Sequence, residues 1–194
     1  MKKIFFLSII TLVIFLIYLS NVDKEVYYVS LTSKNSSYND HLINMLKSKN
    51  MLEKGILEFN RDNYRVIDFI NIIRNNEEVI IKNKKQNIKN ALIKADILVL
   101  EVGKEDLINI KSNKDIDNIM INIDEYFKLI RQYCKEEILV IPVYTNDISS
   151  ELVNNFNDKL NNISNKYKMI YINSTKINLI NNLKQSMQQN LFGN

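Results

Sequence analysis

Ser33, Lys34 and Ser36 follow an apolar run, Val26-Tyr27-Tyr28-Val29-Ser30-Leu31. A serine beside a lysine can attack a carbonyl if the lysine is buried, neutral and able to take the hydroxyl proton. Neighbouring side chains on an extended segment point apart, so Ser33 and Lys34 are poorly placed for this. Ser36, two residues from Lys34, is better placed. Glu101, Glu105, Asp106 and Asp147 could gather round a hard cation, yet their spacing follows no metal motif, and solvated carboxylates are the simpler reading. Glu105 or Asp106 could instead pair with Lys34 and brace the loops. His41 is the only histidine, next to Leu42 and Met45 on a helical stripe, where a partly exposed surface residue is expected. Cys134 is the only cysteine. It closes an amphipathic segment, reads as a half-buried thiol, and has no neighbour in sequence to activate it. Gly55, Gly103 and Gly193 lie far apart. A phosphate-cradling loop spends several glycines within a few residues, so no nucleotide cofactor is implied.

The elements that must position these groups alternate. Strand-like runs are expected at 26–31, 56–59, 97–100, 138–143 and 169–172, with a shorter β-prone patch at Val79–Ile81. Most are continuous apolar runs, as strands buried on both faces require. Helical spacing lies between them. One stripe holds Leu42, Met45 and Leu46, with Asn39 or Asp40 as its start signal. A second runs from Val66 to Ile73, with Asp62 as a possible cap. A third opens at Asn83 and carries Ile88, Leu92 and Ala95. Others cover Ile121 to Tyr133, Leu152 to Ile163, and Leu179 to Met187. Alternating strands and helices imply right-handed crossovers and a doubly wound, mainly parallel sheet of about five strands in a three-layer α/β/α sandwich. Ligands bind such sheets beyond the carboxyl ends of the strands. The loops of interest are therefore 32–37, 103–107, 144–147 and 173–176.

The first 22 residues read as a separate unit, leaving 23–194 for the domain. Lys2 and Lys3 precede an uncharged apolar run, and the next charge is Asp23. The run from Ile4 to Val22 nears the roughly 20 residues that span a bilayer as a helix. The flanking charges favour a cytoplasmic N-terminus. A retained signal anchor fits better than a cleaved leader, because the run is long and ends without a small-x-small site. Either way the domain is expected outside the membrane, on a single-pass anchor or secreted.

The net charge of +4 comes from 26 basic and 22 acidic residues and is scattered. Its densest basic stretch, Lys82, Lys84, Lys85, Lys89 and Lys94, reads as a solvated helix face, with anionic lipid or wall polymer as the alternative partner. No nucleic-acid motif accompanies it. A lone cysteine rules out a disulfide-stapled domain, so the core must suffice.

Several stretches resemble the SGNH/GDSL hydrolases, in particular a membrane-anchored or secreted branch from low-GC Gram-positive bacteria. They are Tyr28 to Asn35 with Tyr38-Asn39-Asp40 and Leu42, then Tyr64 to Ile70, Asn87 to Asp96 and Leu129 to Glu136. The resemblance runs from about Val26 to Val143. It implies ester or acyl hydrolysis by a serine, histidine and aspartate, with amide, glycine and asparagine donors holding the oxyanion. The first family block, Gly-Asp-Ser-Leu, falls on Thr32, Ser33, Lys34 and Asn35, which puts Lys34 at the nucleophile position. The third, Gly-x-Asn-Asp, falls on Gly103, Lys104, Glu105 and Asp106, which puts a carboxylate where the oxyanion donor belongs. The last, Asp-x-x-His, has no counterpart from Asn173 onward. Three altered blocks imply a domain that no longer hydrolyses and instead binds an envelope ligand or a protein partner. A rewired serine esterase built on Ser33 or Ser36 is the alternative, and a purely structural role is a third reading.

Overall fold

The computed structural model describes residues 27–32, 37–48, 55–59, 63–108, 110–145 and 147–172 of the 194. Five strands form one sheet: β1 (Tyr27–Leu31), β2 (Gly55–Glu58), β5 (Ile97–Glu101), β6 (Glu137–Ile141) and β7 (Ile170–Tyr171). Their order is β2-β1-β5-β6-β7, and every pairing is parallel. The chain winds outward from β1 to β2, then returns to β5 and winds the other way. This is the expected doubly wound sheet, and its switch point lies between β1 and β5.

Alternation along the strands divides two cores. Val29, Leu31, Leu98, Leu100, Ile138 and Val140 face one side. Tyr28, Ile97, Val99, Leu139 and Ile141 face the other. The first side is covered by α2 (Val66–Arg74), α3 (Ile88–Lys94), α4 (Asn113–Tyr133) and α5 (Ser150–Lys166). In α4 the buried residues Ile116, Met120, Ile123, Phe127 and Ile130 recur three and four apart, which keeps one stripe on the sheet. A capping box between Ser112 and Asp115 starts that helix. The second side carries α1 (Ser37–Ser48), through Leu42, Ile43 and Leu46.

Four expectations change. No helix opens at Asn83. Instead β3 (Glu78–Ile81) and β4 (Lys84–Asn87) form an antiparallel hairpin. Lys82 and Asn83 both take positive φ, 47° and 63°, as a two-residue hairpin turn requires. The basic stretch is thus only partly helical: Lys84 and Lys85 lie on a ribbon, where Lys85 pairs with Glu78. Asn39 is inside α1, not at its start. It is buried, accepts from the Tyr28 hydroxyl at 2.6 Å and donates to Glu58 Oε1 at 2.8 Å. Helix α2 begins at Val66, with Arg65 as its N-cap, while Asp62 lies outside the described residues.

The fourth change concerns Cys134, which is fully buried rather than half-buried. Burial pushes its thiol up to about 11. The folded chain should therefore react negligibly with a disulfide reagent at pH 8, and the unfolded chain fully. The raised value also sets a sign. From about pH 9, where an unperturbed thiol ionises, the unfolded chain releases a proton that the folded chain keeps, so stability falls toward pH 11. Denaturant midpoints across that range check this.

Tyr126 is fully buried on α4 and its hydroxyl has no hydrogen-bond partner. An unsatisfied buried hydroxyl is costly, so Tyr126→Phe should raise stability by about 1 kcal/mol, read as a higher denaturation midpoint.

Among the described residues no helix is long and apolar enough to cross a membrane. The apolar run 4–22 and the expected helix from Leu179 to Met187 lie outside the described residues.

Candidate functional site

The carboxyl ends of β1 and β5 frame a cleft at the switch point. Thr32 follows β1 and is buried. Glu101 ends β5, and Val102, Gly103, Lys104 and Glu105 continue round a turn closed by Leu107 N–H donating to the Gly103 carbonyl at 3.0 Å. Tyr64, Val66 and Phe69 form the opposite wall, with Tyr64 edge-on to Phe69 at 5.6 Å between ring centres. The cleft holds about 20 Å³, room for roughly one water.

Gly103 is fixed by two constraints. Its φ is +91°, and a Cβ there would lie 2.2 Å from Cζ of Phe156. The buried Phe156 ring on α5 presses against bare backbone, and this aligns the turn that follows β5.

Asp106 does not point into the cleft's open side as a free carboxylate. Its Oδ2 accepts from the Val66 N–H, the first helical residue of α2, at 3.0 Å. Asp68 accepts from the Arg65 N–H at 2.8 Å. Two carboxylates therefore serve the positive end of α2, which is the feature of this cleft otherwise best suited to a developing anion. Desolvation pushes the Asp106 carboxyl up, against the lowering effect of the Val66 N–H and of Arg65.

A group whose folded value is raised favours the fold at low pH and loses that advantage as pH rises through the folded value. Asp106→Asn keeps an acceptor for Val66 and removes the buried charge. Its stability relative to the parent should rise as pH climbs through and above the ordinary carboxylate range. Asp106→Ala leaves the Val66 N–H unpaired and should cost about 1–2 kcal/mol at neutral pH. Urea titrations of both variants at several pH values test the pair.

Glu105 lines the cleft half-buried. Asp147 lies after β6 on a separate loop, where Oδ2 accepts from the Thr145 hydroxyl at 3.0 Å. Among the described residues no three histidine, cysteine or carboxylate side chains gather as a metal site. His41 belongs to α1, on the other face of the sheet from the cleft wall that α2 supplies. Ser33, Lys34, Ser36 and the segment from Asn173 onward lie outside the described residues. The proposed pairing of Lys34 with Glu105 or Asp106 lies there too.

The tertiary partner of Asp106 had no local signal, since Val66 is 40 residues away. Tyr64 and Phe69, the aromatic wall, stood in a stretch that carried the resemblance, but nothing in their spacing marked them as cleft residues.

The sequence matches no protein-family model and no curated protein. Solved structures do match. The acetyl xylan esterase AlAXEase is 12% identical, with 86% of each chain covered and a TM-score of 0.58. AlinE4, an SGNH-hydrolase family esterase, is 13% identical over 77% of this chain and 76% of that one, with a TM-score of 0.54. The lipase Lip_vut3 from a goat rumen metagenome is 13% identical over 76% and 80%, also with a TM-score of 0.54. The strand order, the switch-point cleft and these likenesses agree on one architecture: the chain has the fold of the SGNH hydrolases.

Proposed function

We propose that this chain is a membrane-anchored SGNH-type domain that has given up ester hydrolysis and binds a ligand or protein partner outside the cell. The observation that carries this reading is Glu105 on the cleft wall. Acyl transfer develops negative charge on the carbonyl oxygen, and the site must offer donors to it. A half-buried carboxylate at the donor position opposes that charge. Losing one oxyanion donor alone costs about 3 kcal/mol of barrier, and a repelling charge adds to this.

Two further features support the reading. The positive end of α2 is occupied by Asp106 and Asp68. The nucleophile position of the family block falls on Lys34, and the chain's only histidine is on α1. Anchoring rests on Lys2, Lys3 and the apolar run that follows.

The test is turnover of short-chain ester and acetyl-sugar reporters by the folded full chain. The reading expects none above a Ser33→Ala, Ser36→Ala double variant. Turnover that this double variant abolishes would overturn it in favour of a rewired serine esterase.

A further inference from the structure

We propose that the end of the sheet where the strands begin is a basic face that rests on an anionic lipid surface, leaving the switch-point cleft pointing away from the membrane. This rests on the anchoring read from residues 4–22. Only four residues, Asp23 to Val26, separate that run from Tyr27 at the start of β1. Four residues reach at most about 14 Å.

The entry point is held firmly. Tyr27 N–H donates to Asp96 Oδ2 at 2.8 Å, and Asp96 N–H donates to the Tyr27 carbonyl at 3.0 Å. The chain therefore enters the fold beside the residues that lead into β5. In a parallel sheet all strands start at one end and the crossover helices finish there. Tether length alone keeps that end near the bilayer, within about two screening lengths of physiological salt.

The chemistry of this end fits an anionic surface. Lys47, Lys94, Lys135 and Lys168 are all exposed, and each ends or follows a helix that finishes there. Exposed Ile93 sits next to Lys94, an apolar side chain beside a charge of the kind that inserts at headgroup depth. Several carboxylates nearby are already engaged: Asp96 by Tyr27, Asp124 by Lys166, Glu125 by Arg74. Glu77, Glu136 and Glu137 lie there too and Asp96 keeps its charge, so the face is mixed: with the Lys166–Asp124 and Arg74–Glu125 pairs cancelling, Lys47, Lys94, Arg131, Lys135 and Lys168 outnumber these four carboxylates by one. The opposite end carries Glu101 and Glu105 on the cleft, with Asp106 and Asp147 nearby, and is mixed too, since Arg65, Lys104, Lys111 and Lys114 also lie there. Helix α4 runs between the two ends, and its 21 residues separate them by about 31 Å.

The test uses the full chain in vesicles of phosphatidylcholine, with and without phosphatidylglycerol. Buried Cys134 leaves single introduced cysteines selectively labelled. A fluorophore at Lys94→Cys reports the strand-start end, and one at Ser150→Cys reports the cleft end. A short-range lipid-borne quencher should quench the first at least about threefold more than the second. That quenching should rise with phosphatidylglycerol and fall in high salt or when Lys47, Lys135 and Lys168 are changed to glutamate.

Equal quenching of both labels, or quenching indifferent to phosphatidylglycerol and salt, overturns the proposal while the anchor stands. A chain that does not co-float with vesicles overturns the anchoring reading, and the proposal with it. The salt and lipid arms need no charge-reversed variant, so a misfolded triple variant does not blunt the test.

Discussion

Gly103→Ala should lower the thermal midpoint by roughly 10 °C. Two costs combine. An L-residue at φ +91° is strained by about 1–2 kcal/mol. The new Cβ would also sit 2.2 Å from Phe156 Cζ, and overpacking of this kind costs a further 1–3 kcal/mol, about 2–5 in all. The two costs can be separated. Phe156→Leu is itself destabilising, because it opens a cavity, but it removes the clash. The double variant should therefore be less destabilised than the two single variants added together. Strict additivity would mean that the ring does not set the turn. The result bears on the site, because the same glycine fixes the position from which Lys104, Glu105 and Asp106 depart.

Arg131→Ala should cost about 3 kcal/mol, seen as a loss of denaturant midpoint with an unchanged slope. Arg131 joins two turns at the strand-start end of the sheet. Its Nε donates to the Tyr167 carbonyl at 3.1 Å and its Nη2 to that of Lys168 at 2.6 Å. Nη1 reaches the carbonyls of Cys134, Lys135 and Glu136, the last at 2.9 Å. Those carbonyls belong to the C-caps and turns that follow α4 and α5. One planar guanidinium serves both. Arg131→Lys keeps the charge but not the fork, so it should recover less than half of the loss. Full recovery by lysine would mean that charge rather than geometry holds the turns together.

Much of the fold was legible because its strands are continuous apolar runs. Ile97 to Leu100 and Ile138 to Ile141 admit few other readings once helical stripes flank them. The hairpin was not legible. Lys82-Asn83-Lys84-Lys85 has no β-branched residue and no glycine, and Ile88 with Leu92 continues a helical period. The turn is recognisable only from the backbone, where Lys82 and Asn83 both adopt the left-handed region. Asn39 misled for a related reason. Asparagine near a helix start is usually a cap, whereas this one turns inward to satisfy a buried phenol and Glu58.

For the site, Gly103 and the carboxylates after β5 were visible as a block. What Asp106 does was not, since its partner lies on a helix 40 residues earlier. The half-buried reading of Cys134 failed because the last residue of an amphipathic stripe can face either way, and here the thiol turns into the core while Lys135 and Glu136 just beyond it stay exposed.

Labelling of the folded full chain with a fluorophosphonate addresses the loss of hydrolysis most directly, because the probe needs both an activated serine and an oxyanion pocket. The account predicts no adduct above the level of the Ser33→Ala, Ser36→Ala double variant. A stoichiometric adduct on Ser33 or Ser36, absent from that variant, would contradict it and make Lys34 the suspected base.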